Sequence, residues 1–148
     1  SDPREDRRRQ AEQFGADPVT PADLPGLTEG RGADLVIDLS GAPEAVEEAV
    51  SQVRIGGRVI LVGSVFPTRA LSLQADELVR RLLRIEGVHN YTAADLVEAF
   101  AFLAEAHEQF PFRALVGASY PLAGIDDAVE SALLGEHFRV AVRPREDD

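Results

Sequence analysis

The sequence has no cysteine, lysine, methionine or tryptophan. Without cysteine it can form neither a disulfide framework nor a thiolate metal site. All 15 basic residues are arginine, and they are outnumbered by 26 acidic residues, so the formal net charge is −11. Because this charge repels phosphate backbones and anionic lipid surfaces, we expect neither nucleic acid nor a membrane as a partner.

Long apolar segments are also missing. The longest apolar runs have the length of a strand and are broken by Gly, Asp or Arg, which argues against a membrane span. The first twenty residues lack the apolar core of a signal peptide, so a cytoplasmic location is expected. A chain of 148 residues is expected to form one domain with a sizeable core.

The best-defined pattern is a strand–helix–strand unit in residues 33–66. Asp34–Leu39 is rich in Val, Ile and Leu, which predicts a strand buried on both faces. Pro43 suits the first turn of a helix, and Gly56-Gly57 is predicted to end that helix. Arg58–Gly63 predicts a second buried strand, parallel to the first and reached by a right-handed crossover. The helix should bury the positions that recur at i, i+3, i+4 and i+7: Val46, Ala49, Val50 and Val53.

The rest of the chain predicts alternating helices and strands. The helices are expected at Arg4–Phe14, Ala75–Leu83, Tyr91–Phe110 and 125–134, the third with an apolar stripe of Leu96, Val97, Phe100, Leu103 and Ala104. The strands are expected at Pro18–Thr20, Arg84–Val88, Val116–Tyr120 and Phe138–Val142, with an extended connection at Pro67–Leu73 and a frayed acidic tail at residues 146–148.

The ordered series VIDLSG, GGRVILVG, RIEGVHN and FRVAV resembles the second half of the cofactor domain of the medium-chain, zinc-type alcohol dehydrogenases. This resemblance implies an α/β fold with a doubly wound, mainly parallel, Rossmann-like sheet that lacks its first strands and the glycine-rich turn. Residues 1–148 would then be a partial dinucleotide-binding domain, and the catalytic zinc domain would be absent from this chain. The stretch VHNYTAADL further resembles the group associated with phosphonate catabolism.

The resemblance also implies which residues meet NAD. In the family, the loops after two neighbouring strands line the nicotinamide side, and a third loop meets the carboxamide through its backbone. Asp2 matches the position that binds the adenosine ribose, although it could equally be a simple helix N-cap. The remaining implied cofactor residues are Leu39, Ser40, Gly41, Val62, Gly63, Ser64, Val88, His89, Asn90 and the pyrophosphate-contacting Arg139.

The sequence also departs from the family. No Gly-x-Gly-x-x-Gly turn is present, because Gly30-Arg31-Gly32 precedes a strand and reads as a loop. No residue can be assigned to catalysis or to zinc, so this chain alone is expected neither to oxidise an alcohol nor to bind NAD tightly. Two functions remain open: part of an NAD-dependent dehydrogenase of a small alcohol or aldehyde, or a non-catalytic module that folds and self-associates. A homodimer is expected through the edge strand Arg84–Val88.

Other reactive side chains have simpler explanations. Neither Ser40 nor Ser64 stands in a Gly-x-Ser-x-Gly elbow, so neither is expected to be a nucleophile. His107 should lie on a solvated helix face, and His137 in the turn before the last strand. Asp34 and Asp38 could suggest paired carboxylates, but Asp34 is expected only to open its strand.

Overall fold

The computed structural model describes residues 1–145, which form two compact units, residues 1–94 and the residues from 95 onwards. The tail predicted at 146–148 lies outside the described residues. Both units are mixed α/β with parallel strands, as the predicted fold class requires. None of the helices in the described part of the chain is both long and apolar enough to cross a membrane.

The first unit is a three-stranded parallel sheet in the order β1-β2-β3. Its regular elements are α1 (Glu5–Glu12), α2 (Leu24–Leu27), β1 (Ala33–Asp38), α3 (Pro43–Gln52), β2 (Val53–Leu61), α4 (Ala75–Arg80) and β3 (Arg84–Gly87), with a short 3-10 turn at Pro21–Asp23. The predicted strand–helix–strand unit is therefore present, and its first strand is shifted by one residue. Pro43 begins α3 as expected.

The second unit contains a two-stranded parallel sheet, in which Val116 pairs with Arg139 and Tyr120 with Val142. Its elements are α5 (Ala93–Ala106), which begins two residues before the unit boundary, β4 (Val116–Pro121), α6 (Ile125–Leu134) and β5 (Arg139–Arg143), with 3-10 turns at Phe112–Leu115 and Leu122–Gly124. Gly135 follows α6 in the left-handed conformation, which is common for glycine at the end of a helix.

The core of the first unit lies between α3 and one face of the sheet. The predicted apolar stripe is confirmed for Val46, Ala49 and Val50, which are buried on α3; Val53 is also buried, but it is the first residue of β2. Val59 of β2 is fully buried against them, and Val36 and Ile85, its partners in the neighbouring strands, pack against the same cluster. Burial of these side chains is the main force that holds α3 on the sheet.

The opposite face of β1 is exposed, so the prediction of a strand buried on both faces is wrong for this unit. Leu35 is 41% exposed and Ile37 is 52% exposed. Successive side chains of a strand point to opposite faces, and only the face that carries Val36 meets α3.

The predicted end of α3 at Gly56-Gly57 is also wrong, because the helix ends at Gln52 and both glycines lie inside β2. The end of the helix is capped by a residue that is distant in the sequence. The Arg81 guanidinium donates to the carbonyl oxygens of Val50 (3.0 Å), Ser51 (3.2 Å) and Val53. The glycines serve the strand instead, at a shift in the β1–β2 register, where Gly56 adopts a φ of 72° and its N–H donates to the Arg81 carbonyl.

Two further local predictions need correction. Pro18–Thr20 is not a strand; instead, Thr20 and Asp23 form a reciprocal capping box at the 3-10 turn. Asp2 is not the N-cap of α1, which is Arg4; the Asp2 carboxylate accepts a hydrogen bond from the Arg4 N–H (2.8 Å) in the turn that leads into the helix. This bond is of the kind by which a side chain caps the start of a helix, so the capping role and ribose binding both remain open for Asp2.

The helices of the second unit bury less apolar surface than their sequences predict. In α5 only Ala106 is buried, whereas four residues of the predicted stripe are more than two fifths exposed: Leu96, Val97, Phe100 and Leu103. In α6 the buried residues are Ala128 and Ser131, and Ile125, Val129 and Leu133 are exposed. Helical periodicity identified both helices but not the side on which each one packs.

Candidate functional site

The three loops expected to meet NAD lie at one edge of the first sheet. Residues 39–41 follow β1, residues 62–64 follow β2, and residues 88–90 follow β3. Main-chain hydrogen bonds join them: the N–H groups of Val62 and Gly63 donate to the Asp38 carbonyl (2.9 and 3.1 Å), and the Val88 N–H donates to the Leu61 carbonyl (2.9 Å). The structure therefore brings together nine of the eleven predicted residues, at the edge where parallel α/β sheets bind ligands.

Asp38 organises the first of these loops. Its side chain is 6% exposed, and its Oδ1 accepts hydrogen bonds from the Ser40 N–H (3.1 Å) and the Ser40 hydroxyl (2.6 Å). Its Oδ2 accepts one from the Gly41 N–H (2.9 Å). Three donors thus satisfy the buried carboxylate, and the loop is held in one conformation.

The hydrogen bonds and ion pairs around β1 also show the roles of Asp34 and Ser40. Asp34 does not pair with Asp38; it forms ion pairs with Arg31 and Arg54, which hold its pKa well below the usual range. The Ser40 hydroxyl donates to Asp38 and accepts from the Ala42 N–H (3.2 Å), so both its functions are structural.

Gly41 and Gly63 allow the first two loops to touch. A Cβ atom on Gly41 would lie 2.6 Å from the Gly63 carbonyl carbon, and one on Gly63 would lie 2.5 Å from the Gly41 nitrogen. Gly41 also has a φ of 69°, which favours glycine. Only glycine fits at either position, because the obstructing atoms belong to the backbone and cannot rotate away.

The edge formed by these loops carries apolar side chains that are unusually open to solvent. Leu39 is 74% exposed, Phe66 80%, Val65 53% and Val88 47%. Ligand sites are commonly lined by apolar side chains with a few fixed polar groups. The flat nicotinamide ring of NAD is a ligand that such a surface can bind, so the edge suits the nicotinamide end of the cofactor.

An ion-pair clamp, defined here as Arg69 with Glu44 and Glu47, ties the chain that leaves the second loop to α3. Arg69 Nη1 and Nη2 bond the two Glu47 oxygens (2.7 and 2.9 Å), and Nε and Nη2 bond Glu44 Oε1 (3.1 and 2.9 Å). Glu47 also accepts from the Ser72 N–H (2.6 Å), and together these contacts lower the pKa of Glu47 to about 2. The clamp joins residues more than twenty positions apart, so sequence periodicity gave no sign of it.

The other predicted residues are less constrained. His89 and Asn90 are exposed, and Asn90 has a positive φ of 58° in the turn after β3. Arg139 lies on β5 of the second unit, where its guanidinium donates to the Phe138 carbonyl (3.1 Å). His107 is exposed and its Nδ1 lies 2.8 Å from the Ala104 carbonyl oxygen, in agreement with its predicted surface position.

The described residues do not offer a site for zinc. Within residues 1–145, no three His, Asp or Glu side chains lie close enough together to hold a metal ion, and the sequence has no cysteine. A zinc site needs three or four such donors around one point.

Comparisons with known proteins agree with this fold and identify the family. A family profile described as "Zinc-binding dehydrogenase" matches residues 1–105. An L-threonine 3-dehydrogenase from Thermococcus kodakarensis is 34% identical over 107 residues, which are 68% of this chain and 29% of that protein. A sorbitol dehydrogenase from Halalkalibacterium halodurans is 26% identical over 118 residues, 80% of this chain and 34% of that protein.

Solved structures show the same fold. An alcohol dehydrogenase from Thermotoga maritima matches 96% of this chain and 41% of its own, with a TM-score of 0.87 at 22% identity. An alcohol dehydrogenase from Thermus sp. ATN1 matches 96% of this chain and 42% of its own, with a TM-score of 0.83 at 24% identity.

The chain thus spans about a third of the length of these two curated relatives and about two fifths of the solved chains. The family profile nevertheless covers more than half of this chain, including all three loops of the candidate site. The chain belongs to the zinc-binding dehydrogenases of the medium-chain dehydrogenase family.

Proposed function

We propose that this chain is part of the NAD-binding domain of a dehydrogenase that transfers a hydride between a small alcohol and nicotinamide. The observation that carries the proposal is the interlocked pair of loops at the ends of β1 and β2, where Asp38 fixes one loop and Gly41 and Gly63 let the two touch. When bound, NAD would supply the hydride chemistry; the protein supplies position and surroundings.

In this proposal, the chain's own residues hold and shield one end of the cofactor. Leu39, Val65 and Val88 provide an apolar wall for the nicotinamide ring, and the backbone near His89 and Asn90 offers polar groups to its carboxamide. Excluding water from such a surface strengthens the remaining electrostatic interactions. The zinc of the family would be held outside the described residues of this chain, and no step here depends on it.

Asp2 would bind the adenosine ribose and thereby select NAD over NADP, because a carboxylate at that position repels a 2′-phosphate. Its side chain is half-buried and held by the Arg4 N–H, which fixes its position. The test uses the full-length protein that contains this segment, with kcat/KM for an alcohol measured with both cofactors.

We expect a clear preference for NAD and, in Asp2→Ser, a shift towards NADP. Asp17→Ser provides the matched control, because it removes the same charge from an exposed position after α1. A wild-type kcat/KM with NADP that equals or exceeds the NAD value would refute the assigned role of Asp2, and the absence of any nicotinamide-dependent activity would refute the function itself.

A further inference from the structure

The first unit has a cavity of about 280 Å³ at the end of the sheet opposite to the candidate NAD site. Its walls come from residues that lie before the three strands or in the first residues of β2: Pro25, Thr28, residues 30–32, residues 51–55 and Arg81. These segments lie where the strands begin, whereas the loops described above lie where the strands end. The cavity is therefore separate from the proposed cofactor edge.

Three arginines line this cavity, Arg31, Arg54 and Arg81. Arg31 and Arg54 share one carboxylate, since both donate to Asp34. Glu29 acts on Arg31 through its charge without a hydrogen bond. Arg81 has main-chain carbonyls as its partners rather than a carboxylate. The residues that line the cavity thus include three arginines and no aspartate or glutamate, in a protein whose net charge is −11.

The arginines also have hydrogen-bonding capacity to spare. Nε of Arg31 and Nη2 of Arg54 meet no acceptor within the part of the chain that the structure describes, residues 1–145. Arginine N–H groups form paired, charge-assisted hydrogen bonds with phosphate oxygens. Because a water molecule occupies about 30 Å³ in the liquid, the cavity has room for a phosphate group together with part of an attached molecule.

We infer that this cavity binds phosphate, either as the free ion or as the phosphate group of a small ester. The anion would contact the guanidinium groups of Arg31, Arg54 and Arg81, and would compete with Asp34 for their donors. This inference goes beyond the proposed dehydrogenase function and does not depend on it, because no residue of the cavity belongs to the cofactor edge.

The test is a calorimetric titration of the 148-residue chain with inorganic phosphate at low ionic strength, followed by glycerol phosphate and by acetate. We expect saturable phosphate binding that Arg54→Gln weakens by about tenfold, the usual effect of losing a charged hydrogen bond. Asp34→Asn should strengthen binding, because it removes the competing carboxylate. Tighter binding of glycerol phosphate than of inorganic phosphate would identify an ester as the ligand, and the reverse order would identify free phosphate.

Arg80→Gln is the matched control, because Arg80 is an arginine of α4 that pairs with Asp76 and does not line the cavity. It should leave the phosphate Kd unchanged. Arg81→Gln also removes the cap of α3, so circular dichroism must first establish that this variant is folded, and the decision rests on the Arg54 and Asp34 variants. The inference is overturned if phosphate shows no saturable binding, if acetate binds equally well, or if Arg80→Gln weakens binding as much as Arg54→Gln.

Discussion

Residue 63 is a glycine, and the contact between the first two loops depends on its having no side chain. In Gly63→Ala the added methyl group would lie 2.5 Å from the Leu39 carbonyl oxygen and from the Gly41 nitrogen. Because both obstructing atoms belong to the backbone, we expect the free energy of unfolding to fall by about 1–3 kcal/mol, as in other overpacked sites. Urea denaturation followed by circular dichroism measures this change.

The matched control is Gly26→Ala. Gly26 lies in α2, and a methyl group there would meet no atom within 4 Å. Since alanine favours helix over glycine, this variant should be as stable as the wild type or slightly more stable. Equal stability of Gly63→Ala and the wild type would mean that the loops are not packed as described.

The roles of some single residues could be predicted from the sequence, and the roles of others could not. Gly41 and Gly63 could be proposed as parts of the site from the sequence, because each lies in a motif that resembles the family, VIDLSG for the first and GGRVILVG for the second. The role of Asp38 was not predictable, because a carboxylate at the end of a strand has the same local sequence whether it binds a ligand or its own loop. Its three donors come from residues 40 and 41, and only the turn of the backbone aims them at one side chain.

Between elements, the clamp of Arg69 with Glu44 and Glu47 should make stability depend on pH. The pKa of Glu47 is lowered to about 2 in the folded protein, below the ordinary value of 4.5. A carboxyl with a depressed folded pKa stabilises the protein above its unfolded pKa, and this contribution is lost as the pH falls through the folded pKa. The clamp should therefore act fully at neutral pH and disappear between about pH 5 and pH 2.

The variant Glu47→Gln tests this expectation. At pH 7 it should melt at a lower temperature than the wild type, and the difference should shrink as the pH is lowered towards 2. The control Glu48→Gln alters the next residue of α3, which is exposed, and should leave the melting temperature nearly unchanged. A difference between Glu47→Gln and wild type that is constant from pH 7 to pH 3 would contradict the ion-pair explanation.

Strand β3 pairs with β2 on one side, and in the described first unit it forms an edge of the sheet. The Val88 N–H points towards β2, and donors alternate along a strand, so the Ile85 N–H should point to the open edge. If β3 pairs with a second copy of the chain, as we propose, Ile85→Pro should remove an intermolecular hydrogen bond and abolish the dimer. Sedimentation at micromolar concentration measures the outcome.

Ile85→Ala is the control for the side chain, because it loses the same core contacts and keeps the N–H. It should be less stable than the wild type and still dimeric. Dimers of Ile85→Pro would place the interface elsewhere, and a monomeric wild type would exclude this interface altogether.

The bounds of a strand or helix could be predicted where nearby residues set them, and not where a residue distant in the sequence does. The three strands of the first unit were predicted to within a residue or two at most ends, because apolar runs between glycines and polar residues identify strands locally. The end of α3 was misplaced by four residues, because it is set by Arg81, a side chain nearly thirty positions further along the chain. The exposure of apolar residues on α5 and α6 could not be predicted either, because helical periodicity identifies an apolar face and does not show what covers it.

For the whole molecule, the fold class and family were accessible from sequence, because the order of four motifs restricts topology far more than any one of them does. The binding strength of the isolated chain depends instead on which groups face the cofactor's charges. The pyrophosphate is the most charged part of NAD, and in Rossmann domains its main partners are the N–H groups of a glycine-rich turn and a helix N-terminus. No such turn occurs in these 148 residues.

We therefore expect this chain by itself to bind NAD only weakly and to oxidise no alcohol. Arg139 is exposed on β5 and cannot replace several backbone donors, each worth about 1.5–3 kcal/mol to a charged partner. Since about 1.4 kcal/mol corresponds to a tenfold change, the affinity should fall by orders of magnitude. Calorimetric titration of the folded chain with NAD measures this affinity, with circular dichroism to establish that the helices and strands are intact.

A dissociation constant in the micromolar range or lower would contradict the expectation. A folded chain without measurable binding would agree with it, and kinetics of the full-length protein would then separate a dehydrogenase segment from a non-catalytic module, since only the dehydrogenase would reduce NAD.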